Sequence, residues 1–422
     1  MAFKSLKKSV LLLALVTSSS FAFEIKQGQQ DVMAGLKLQI FAQKDGAVTN
    51  TDHSSTNFSI QNARIYFMGK LNKIVEFGAN FDFSDNTALS PDGTARAHTG
   101  MHQTVVKDAY INFRFSKAFN IMTGLFMDPY SRISLTDSYY TIIPTMEGVG
   151  TINSFIMNKS LKGPMFVNPF TPLDIGSDIQ NGYRDMGIAI WGSKFHSAIK
   201  YYIDVANGRY DYELSQNNIT SPSLKYGFRL ELSPTFLGFS NNEGYMDDDT
   251  YFGRKNILAL GIAYEQDKFT NQSGSTNSKS LGTDLLIEKK FKSLVTNLQI
   301  GYSNTTGLPY GMSLSQYTVK APIKATGYYI QTAILYNKYI GIGKPSLAFR
   351  YETDENTNNY SNKAKIHRLS IFAIYYINGE SDKISLGADF INPNSNLIYD
   401  TTNGQTTLKN YWDYTLALQT MF

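Results

Sequence analysis

Charged side chains recur at every second position within short segments of the chain, so that each segment has a polar face and an apolar face. In Ile74–Ser84 the polar positions include Glu76, Asn80 and Asp82, and the positions between them are aliphatic or aromatic. Such period-two alternation predicts a half-buried β-strand. Acidic and basic groups that face each other across a narrow space create an electric field that orients water and polar solutes. Such a field can discriminate between solutes. No nucleophile-elbow, zinc-protease, Walker or dinucleotide fingerprint occurs in the sequence.

The same alternation identifies candidate pore-lining and selectivity residues on the predicted strands, and one long connection supplies further candidates. They are Arg64, Asp108, Arg114, Lys200, Arg229 and Arg350 on predicted strands, and Asp137, Tyr139, Glu147 and Asp174 in one long connection. Acidic groups are as plentiful as basic ones on the predicted inward face. These charges either select solutes directly, or they form local ion pairs and keep the space that they face filled with water. Tyr139, with Tyr140, either offers a stacking surface to a sugar or aromatic solute or packs the connection against the wall.

Sixteen alternating segments can be counted between Met33 and Phe422. An even number of strands joined by alternating short and long connections is typical of single-chain bacterial membrane barrels. One even-numbered connection, Pro234–Lys255, breaks the alternation with 22 residues. The predicted fold is all-β, a 16-stranded antiparallel transmembrane β-barrel that forms a single domain over residues 23–422.

The longest connection is the third of the long ones, Pro129–Gly182, with 54 residues. A structureless span of this length is unusual in a compact domain unless it is functional. We predict that this extracellular loop folds into the lumen of the barrel and sets the size of the opening. Its charges are mixed, which leaves the preferred solute open.

The chain begins with the features of a secretory signal peptide. Lys4, Lys7 and Lys8 precede the apolar run Val10–Val16, and Ser20-Phe21-Ala22 offers a small-residue cleavage site. We predict cleavage after Ala22, which makes residues 1–22 the signal. Its removal takes away three of 39 basic residues, so that 36 face 35 acidic ones and the net charge falls from +4 to +1. The basic excess therefore gives no indication of nucleic-acid binding.

The lack of cysteine in a chain predicted to be exported limits which other classes of site are possible. A chain with no cysteine has neither disulfides nor thiolate zinc sites, and no apolar run reaches the roughly 18 residues of a spanning helix. His98 and His102 have helical metal-ligand spacing but no nearby carboxylate. Asp247, Asp248 and Asp249 with Glu243 lack the spacing of a calcium loop and are interpreted as a solvated periplasmic charge run. We expect no catalytic residue, no metal and no cofactor.

Several segments resemble the phosphate-selective porin O and P family of Gram-negative outer membranes. They are Val106–Phe115 (VKDAYINFRF), Gly124–Tyr130 (GLFMDPY), Gly327–Tyr336 (GYYIQTAILY), Phe349–Asp354 (FRYETD) and Leu369–Gly379 (LSIFAIYYING). The resemblance implies a 16-stranded outer-membrane barrel, usually a homotrimer, whose third extracellular loop folds inward at the position of Pro129–Gly182. A C-terminal strand that ends in Phe422 also resembles the signal for the outer-membrane assembly machinery. Phosphate selectivity in the family depends on wall arginines and constriction lysines, and the balanced charge of this chain does not favour it.

The function predicted from these features is a porin, a water-filled outer-membrane channel for passive diffusion of small hydrophilic solutes or ions. The barrel is expected to be surrounded by outer-membrane lipid and lipopolysaccharide. The alternatives are a phosphate- or anion-specific channel and an outer-membrane enzyme, a phospholipase or protease. A hydrophobic-compound transporter would need an N-terminal hatch, for which the ten residues before the first predicted strand are too few. An adhesin or β-solenoid would show a fixed repeat, and the sequence has none.

Overall fold

A computed structural model describes most of the chain between Phe23 and Phe422. The described residues are 23–47, 53–84, 104–145, 184–207, 224–271, 274–308, 323–357, 363–393, 398–401, 404–407 and 409–422. The predicted signal peptide, His98 and His102 lie outside them. The strands are β1 (Phe23–Gln27), β2 (Gln30–Asp45), β3 (Ser55–Lys70), β4 (Val75–Asp82), β5 (Val105–Ser116), β6 (Phe119–Met127), β7 (Arg184–Lys194), β8 (Ile199–Asn207), β9 (Leu224–Leu232), β10 (Ile257–Asn271), β11 (Gly274–Phe291), β12 (Leu294–Leu308), β13 (Ile323–Tyr336), β14 (Lys344–Thr357), β15 (Lys363–Asn378), β16 (Asp382–Pro393), β17 (Ile398–Thr401), β18 (Gly404–Thr407) and β19 (Tyr411–Met421).

Sixteen of these strands form one closed antiparallel barrel. Strands β2 to β16 pair in chain order, β16 pairs with β19, and β19 pairs with β2 to close the ring. The closure ends in a reciprocal backbone pair between Leu36 and Phe422. A closed ring leaves no unpaired strand edge, which is the condition for crossing a bilayer with strands. The predicted fold class and strand number are confirmed.

The outer face of the barrel is apolar and its inner face is polar, as β9 illustrates. On β9 the outward Tyr226 and Phe228 are exposed, whereas the inward Lys225 and Arg229 are buried. In a bilayer these exposed apolar side chains would face lipid, where an arginine or lysine at mid-membrane costs about 2–4 kcal/mol. The alternation that predicted the strands therefore also assigns their inward faces.

The strand boundaries differ from the sequence prediction at polar ends. Strands β10 and β11 remain paired out to Asn271 and Gly274, beyond the apolar alternation that marks these strands in the sequence. The alternation of apolar side chains stops at the edge of the lipid-facing band, but backbone pairing does not need it. The small hairpin of β17 and β18 was likewise missed.

A further strand precedes the barrel. Strand β1 pairs with the first residues of β2 through a tight turn in which Gly28 has a φ of 64°. Glycine adopts this left-handed conformation without the steric cost that a Cβ adds. The ten residues before the first predicted strand therefore contain a strand that the side-chain alternation does not reveal.

Two short helical elements lie between strands in the described part of the chain. Helix α1 (Arg132–Leu135) follows β6, and a 3-10 turn (Thr235–Leu237) follows β9. Within the described residues, neither helical element has the length or apolar character to cross a membrane.

Candidate functional site

The chain leaves the barrel wall directly after β6. The β6–β7 ladder ends at the Met127–Arg184 pair, and Pro129, which has no backbone N–H to donate, follows two residues later. Ser131 then caps helix α1 by accepting a hydrogen bond from Ser134 N at 3.0 Å, and Ser134 Oγ accepts in return from Ser131 N at 2.9 Å. This reciprocal cap fixes the direction in which residues 129–145, here called the first inner segment, continue.

The first inner segment contacts buried, inward-facing side chains from several parts of the ring. Arg132 N donates to Asp284 Oδ2 on β11 at 3.2 Å, and Arg350 on β14 donates to Thr145 O at 2.8 Å. The carbonyl oxygen of Tyr139 accepts from Lys383 on β16 at 3.2 Å and from Gln419 on β19 at 3.0 Å. Because these strands lie on widely separated parts of the wall, residues 132–145 cross the interior between them. The inward fold of the whole of 129–182 stays a prediction, since residues 146–183 lie outside the described ranges.

Asp137 is the centre of the charged contacts of this segment. Its Oδ2 lies 3.0 Å from Lys37 Nζ on β2, and its Oδ1 lies 2.9 Å from Arg64 Nη1 on β3. Arg64 Nε also lies 3.0 Å from Asp82. Burial by itself would raise the pKa of Asp137, but the charges of Lys37 and Arg64 outweigh it and hold that pKa well below its usual range. The carboxylate is therefore ionised throughout the physiological range.

Tyr139 packs beside this ion cluster and is fully buried. Lys37 Nζ lies 5.1 Å and Arg64 Cζ 5.4 Å from the centre of its ring, which are cation–π distances. Of the two roles considered for Tyr139, this geometry favours packing of the segment against the wall. An open stacking surface for a solute would require an accessible ring.

A second chain segment also enters the interior. Residues 233–256, here called the second inner segment, join β9 to β10 and include the connection that breaks the alternation of lengths. Asp247 is 0% exposed, with its Oδ1 3.1 Å from Lys200 Nζ on β8 and its Oδ2 3.4 Å from Arg132 Nη1 in the first inner segment. The prediction of a solvated charge run was wrong for Asp247 and for Asp249, which is also buried. A link of this length can reach the cations of the lumen, and their charges offset part of the cost of burying Asp247. Burial still raises the pKa of Asp247.

The two inner segments are joined directly to each other. Asp247 N donates to Leu135 O at 2.9 Å, within a parallel bridge between Thr136 and Asp247. Further along, Ile142 N donates to Asp249 Oδ2 at 3.0 Å. Backbone and side-chain bonds thus connect the segments at both ends of their contact. They form one unit inside the barrel.

The other predicted wall residues lie in ion pairs. Arg229 makes a two-point contact with Asp284 at 2.7 and 2.8 Å. The remaining pairs are Lys200 with Glu231 at 3.6 Å, Arg350 with Glu352 at 3.3 Å, Asp108 with Arg184 at 3.0 Å and Arg114 with Glu76 at 3.3 Å. Lys200, Arg229 and Arg350 are buried beside the inner segments, whereas Arg114 is partly exposed and does not contact them. Glu147 and Asp174 lie outside the described residues.

Sequence reasoning missed several residues that make these contacts. Lys37, Arg132, Asp247, Asp284 and Lys383 were not among the predicted site residues. Lys37 had a usable signal, because it lies on the polar face of an alternating strand. The anomalous length of the second inner segment was a signal for Asp247. Nothing in the local sequence marks Lys383 as the partner of a carbonyl in a distant segment.

Comparison with known proteins agrees with this architecture. A model of the phosphate-selective porin O and P family matches residues 32–158. The closed barrel of 16 strands and this match support an outer-membrane channel of the porin type. The match also confirms the resemblance to the phosphate-selective porin O and P family over residues 32–158. No curated protein matches the chain significantly.

Solved structures with a similar fold are porins and outer-membrane proteins. The anion-selective porin from Comamonas acidovorans has a TM-score of 0.56 at 11% identity, over 93% of this chain and 100% of that chain. The outer membrane channel DcaP of Acinetobacter baumannii has a TM-score of 0.51 at 12% identity, over 94% and 99%. In-vitro folded OmpT of Vibrio cholerae, in a trimer form, has a TM-score of 0.50 at 8% identity, over 94% and 100%. At these identities the similarity concerns the fold alone.

Proposed function

We propose that this porin is a passive, water-filled channel for small hydrophilic solutes or ions, narrowed by the two inner segments. The observation that supports the proposal best is the bonding of residues 129–145 and 233–256 to each other and to the wall. Solutes would be selected by the size of the remaining opening and by the field of the charged groups that face it. Single-channel recording in planar bilayers tests the proposal. Discrete conductance steps are expected, and their absence would rule out a channel.

The charge arrangement favours weak selectivity between cations and anions. In the described interior each of the predicted wall cations lies within 4 Å of a carboxylate, as for Arg64 with Asp82 and Asp137. Strong anion selectivity requires a ring of one sign. The second candidate is an anion-specific channel, which the family match and the anion-selective porin of Comamonas acidovorans favour. A reversal potential near zero under a potassium chloride gradient supports the first, whereas a strongly anion-selective potential with block by low phosphate supports the second.

The site residues predicted from the sequence have graded roles in this proposal. Arg64, Asp137, Lys200, Arg229 and Arg350 hold the inner segments or lie beside them. Asp108 and Arg114 belong to the wall. Tyr139 positions the first inner segment. Glu147 and Asp174 remain proposed members of the same loop.

The proposal includes a trimeric assembly, and it predicts that the protein has no enzymatic activity. We expect a homotrimer, as in the trimer form of the Vibrio cholerae protein, which native gel electrophoresis of the extracted protein would test.

The family match favours a channel over a phospholipase or protease, and the refolded protein is expected not to hydrolyse phospholipid vesicles or casein. We further propose that the strand ending in Phe422 is recognised by the outer-membrane assembly machinery and that the outer face contacts lipid and lipopolysaccharide.

Asp248 gives the channel a pH dependence in this proposal. Burial, and then the charge of the neighbouring Asp247, raise the pKa of Asp248 to about 6. Because a raised carboxyl pKa means protonation below it and ionisation above it, Asp248 gains its negative charge between pH 5 and 7. We expect cation permeability relative to chloride to rise over this range, as measured by reversal potential, and to rise less in Asp248→Asn. Glu243→Gln is the matched control, since Lys117 lowers the pKa of Glu243 and keeps this nearby carboxylate ionised over the range. An equal rise in Asp248→Asn and the wild type would contradict the assignment.

A further inference from the structure

Three carboxylates meet where the long third connection leaves and rejoins the wall. Asp128 directly follows β6, Asp185 is the second residue of β7, and Asp204 lies on β8. One oxygen of each lies within 4.8 Å of the others, and all three side chains are buried. Two oxygens that bind one calcium ion, each at about 2.4 Å, are at most about 4.8 Å apart. The three oxygens are therefore close enough together to share one calcium ion.

Asp204 is the member of this group that most requires a ligand. It is 1% exposed, and neither of its carboxylate oxygens accepts a hydrogen bond from any group in the described part of the chain. Buried polar groups are almost always paired, and an exception of this kind calls for an ion or water that satisfies it. Both oxygens of Asp128 likewise accept no hydrogen bond within the described ranges.

The strand opposite Asp204 leaves room for its carboxylate. Gly227 on β9 is paired with Asp204 in the sheet register. A Cβ added at Gly227 would overlap Asp204 Oδ1. The absence of a side chain at this position lets the carboxylate lie in the place that it needs to reach the other two. This steric feature is independent of the charges of the cluster.

Among the described groups of this cluster, carboxylates outnumber ammonium groups. Lys225 Nζ lies 2.6 Å from Asp185 and 3.3 Å from Asp128. The same Nζ lies 3.1 Å from Glu265, so that one ammonium group is shared by three carboxylates. A divalent cation would offset this excess of acidic groups, and carboxylate oxygens are the ligands that calcium prefers.

We propose that Asp128, Asp185 and Asp204 bind one calcium ion per chain. Asp128 and Asp185 flank residues 129–183, and Asp185 is paired in register with Phe126 at the end of the β6–β7 ladder. The ion ties the two ends of the third connection to β8. It stabilises the base from which the first inner segment enters the lumen.

Isothermal titration calorimetry tests this site without reference to channel activity. The full chain is refolded in detergent, dialysed against EGTA and then against buffer free of chelator, and titrated with calcium chloride. Saturable uptake of one calcium ion per chain is expected, together with a Tm that rises with calcium concentration, because binding to the native state stabilises it. Wild-type protein that takes up no calcium saturably overturns the proposal, and it does so whether or not the protein conducts ions.

Three variants identify the ligands. Asp204→Asn is expected to lose saturable binding, and Gly227→Ala to raise the Kd by about 10–100-fold, as other changes beside metal ligands do. Asp413→Asn, an equivalent change on the inward face of β19, is the matched control and should bind as the wild type does. Circular dichroism checks that each variant forms the barrel. If Asp204→Asn does not fold, Gly227→Ala decides, because wild-type affinity in that variant contradicts the proposed position of the ion.

Discussion

In the Asp137→Ala variant we expect the free energy of unfolding to fall by about 3–5 kcal/mol, because Lys37 and Arg64 stay buried but lose the carboxylate that they share. Urea unfolding from lipid vesicles, followed by tryptophan fluorescence, measures this loss. The first inner segment is then bonded to the wall mainly through its backbone, so single-channel current should also become larger and noisier.

The control for this prediction removes one of the orphaned cations. The double variant Lys37→Met Asp137→Ala should recover part of the lost stability, since Arg64 keeps Asp82 as a partner. The depressed pKa of Asp137 means that its contribution is present above the unfolded pKa and is lost only as the pH falls through the much lower native value. The difference between wild type and Asp137→Ala should therefore be the same at pH 5 as at pH 7. A loss below about 1 kcal/mol would place the pair among exposed ion pairs of little energetic consequence.

In the Asp247→Ala variant we expect a loss of similar size, about 3–5 kcal/mol, and partial release of both inner segments. Asp247 lies between Lys200 on the wall and Arg132 in helix α1, so its removal separates three parts of the interior at once. Lys200 retains Glu231 at 3.6 Å, which limits the loss. The same urea titration measures stability, and channel recordings should show increased current fluctuation.

The neighbouring aspartate is a matched control for this change. Asp248 is only half-buried, and it contacts Arg132 through its backbone oxygen, which alanine keeps. Asp248→Ala should therefore not lower the free energy of unfolding at pH 7, and because burial raises the pKa of Asp248 to about 6, removal of this carboxylate should raise that free energy. Equal losses in both variants would show that the second inner segment tolerates no substitution at all, and would remove the specific role of Asp247.

Much of the barrel could be predicted from the sequence because one physical rule governs it. Side chains of a strand alternate between lipid and water, so Phe228 and Arg229 are assigned to opposite faces by parity alone. The same rule placed Arg64, Lys200, Arg229 and Arg350 inside, where the structure has them buried. Ring closure then followed from the even number of strands.

The interior contacts could not be predicted in this way. The alternation of side chains along β16 predicts that Lys383 faces inward. Its partners, the carbonyl oxygens of Tyr139 and Thr141, belong to a segment whose sequence has no hydrophobic periodicity. The burial of Asp247 likewise depends on where a long link turns, which no local pattern determines. Paired ends such as Asn271 with Gly274 lie beyond the apolar alternation and therefore look like loops in the sequence.

The claim that the two inner segments together narrow the channel is tested most directly by single-channel conductance in planar bilayers. Three proteins are compared: the wild type, a variant that lacks residues 136–145, and a variant in which a four-residue turn replaces residues 236–253. Discrete steps are expected for all three, with a larger unit conductance in both variants than in the wild type. Unit conductance that is unchanged in either variant, in protein that folds as a barrel, would contradict the role of that segment in the constriction.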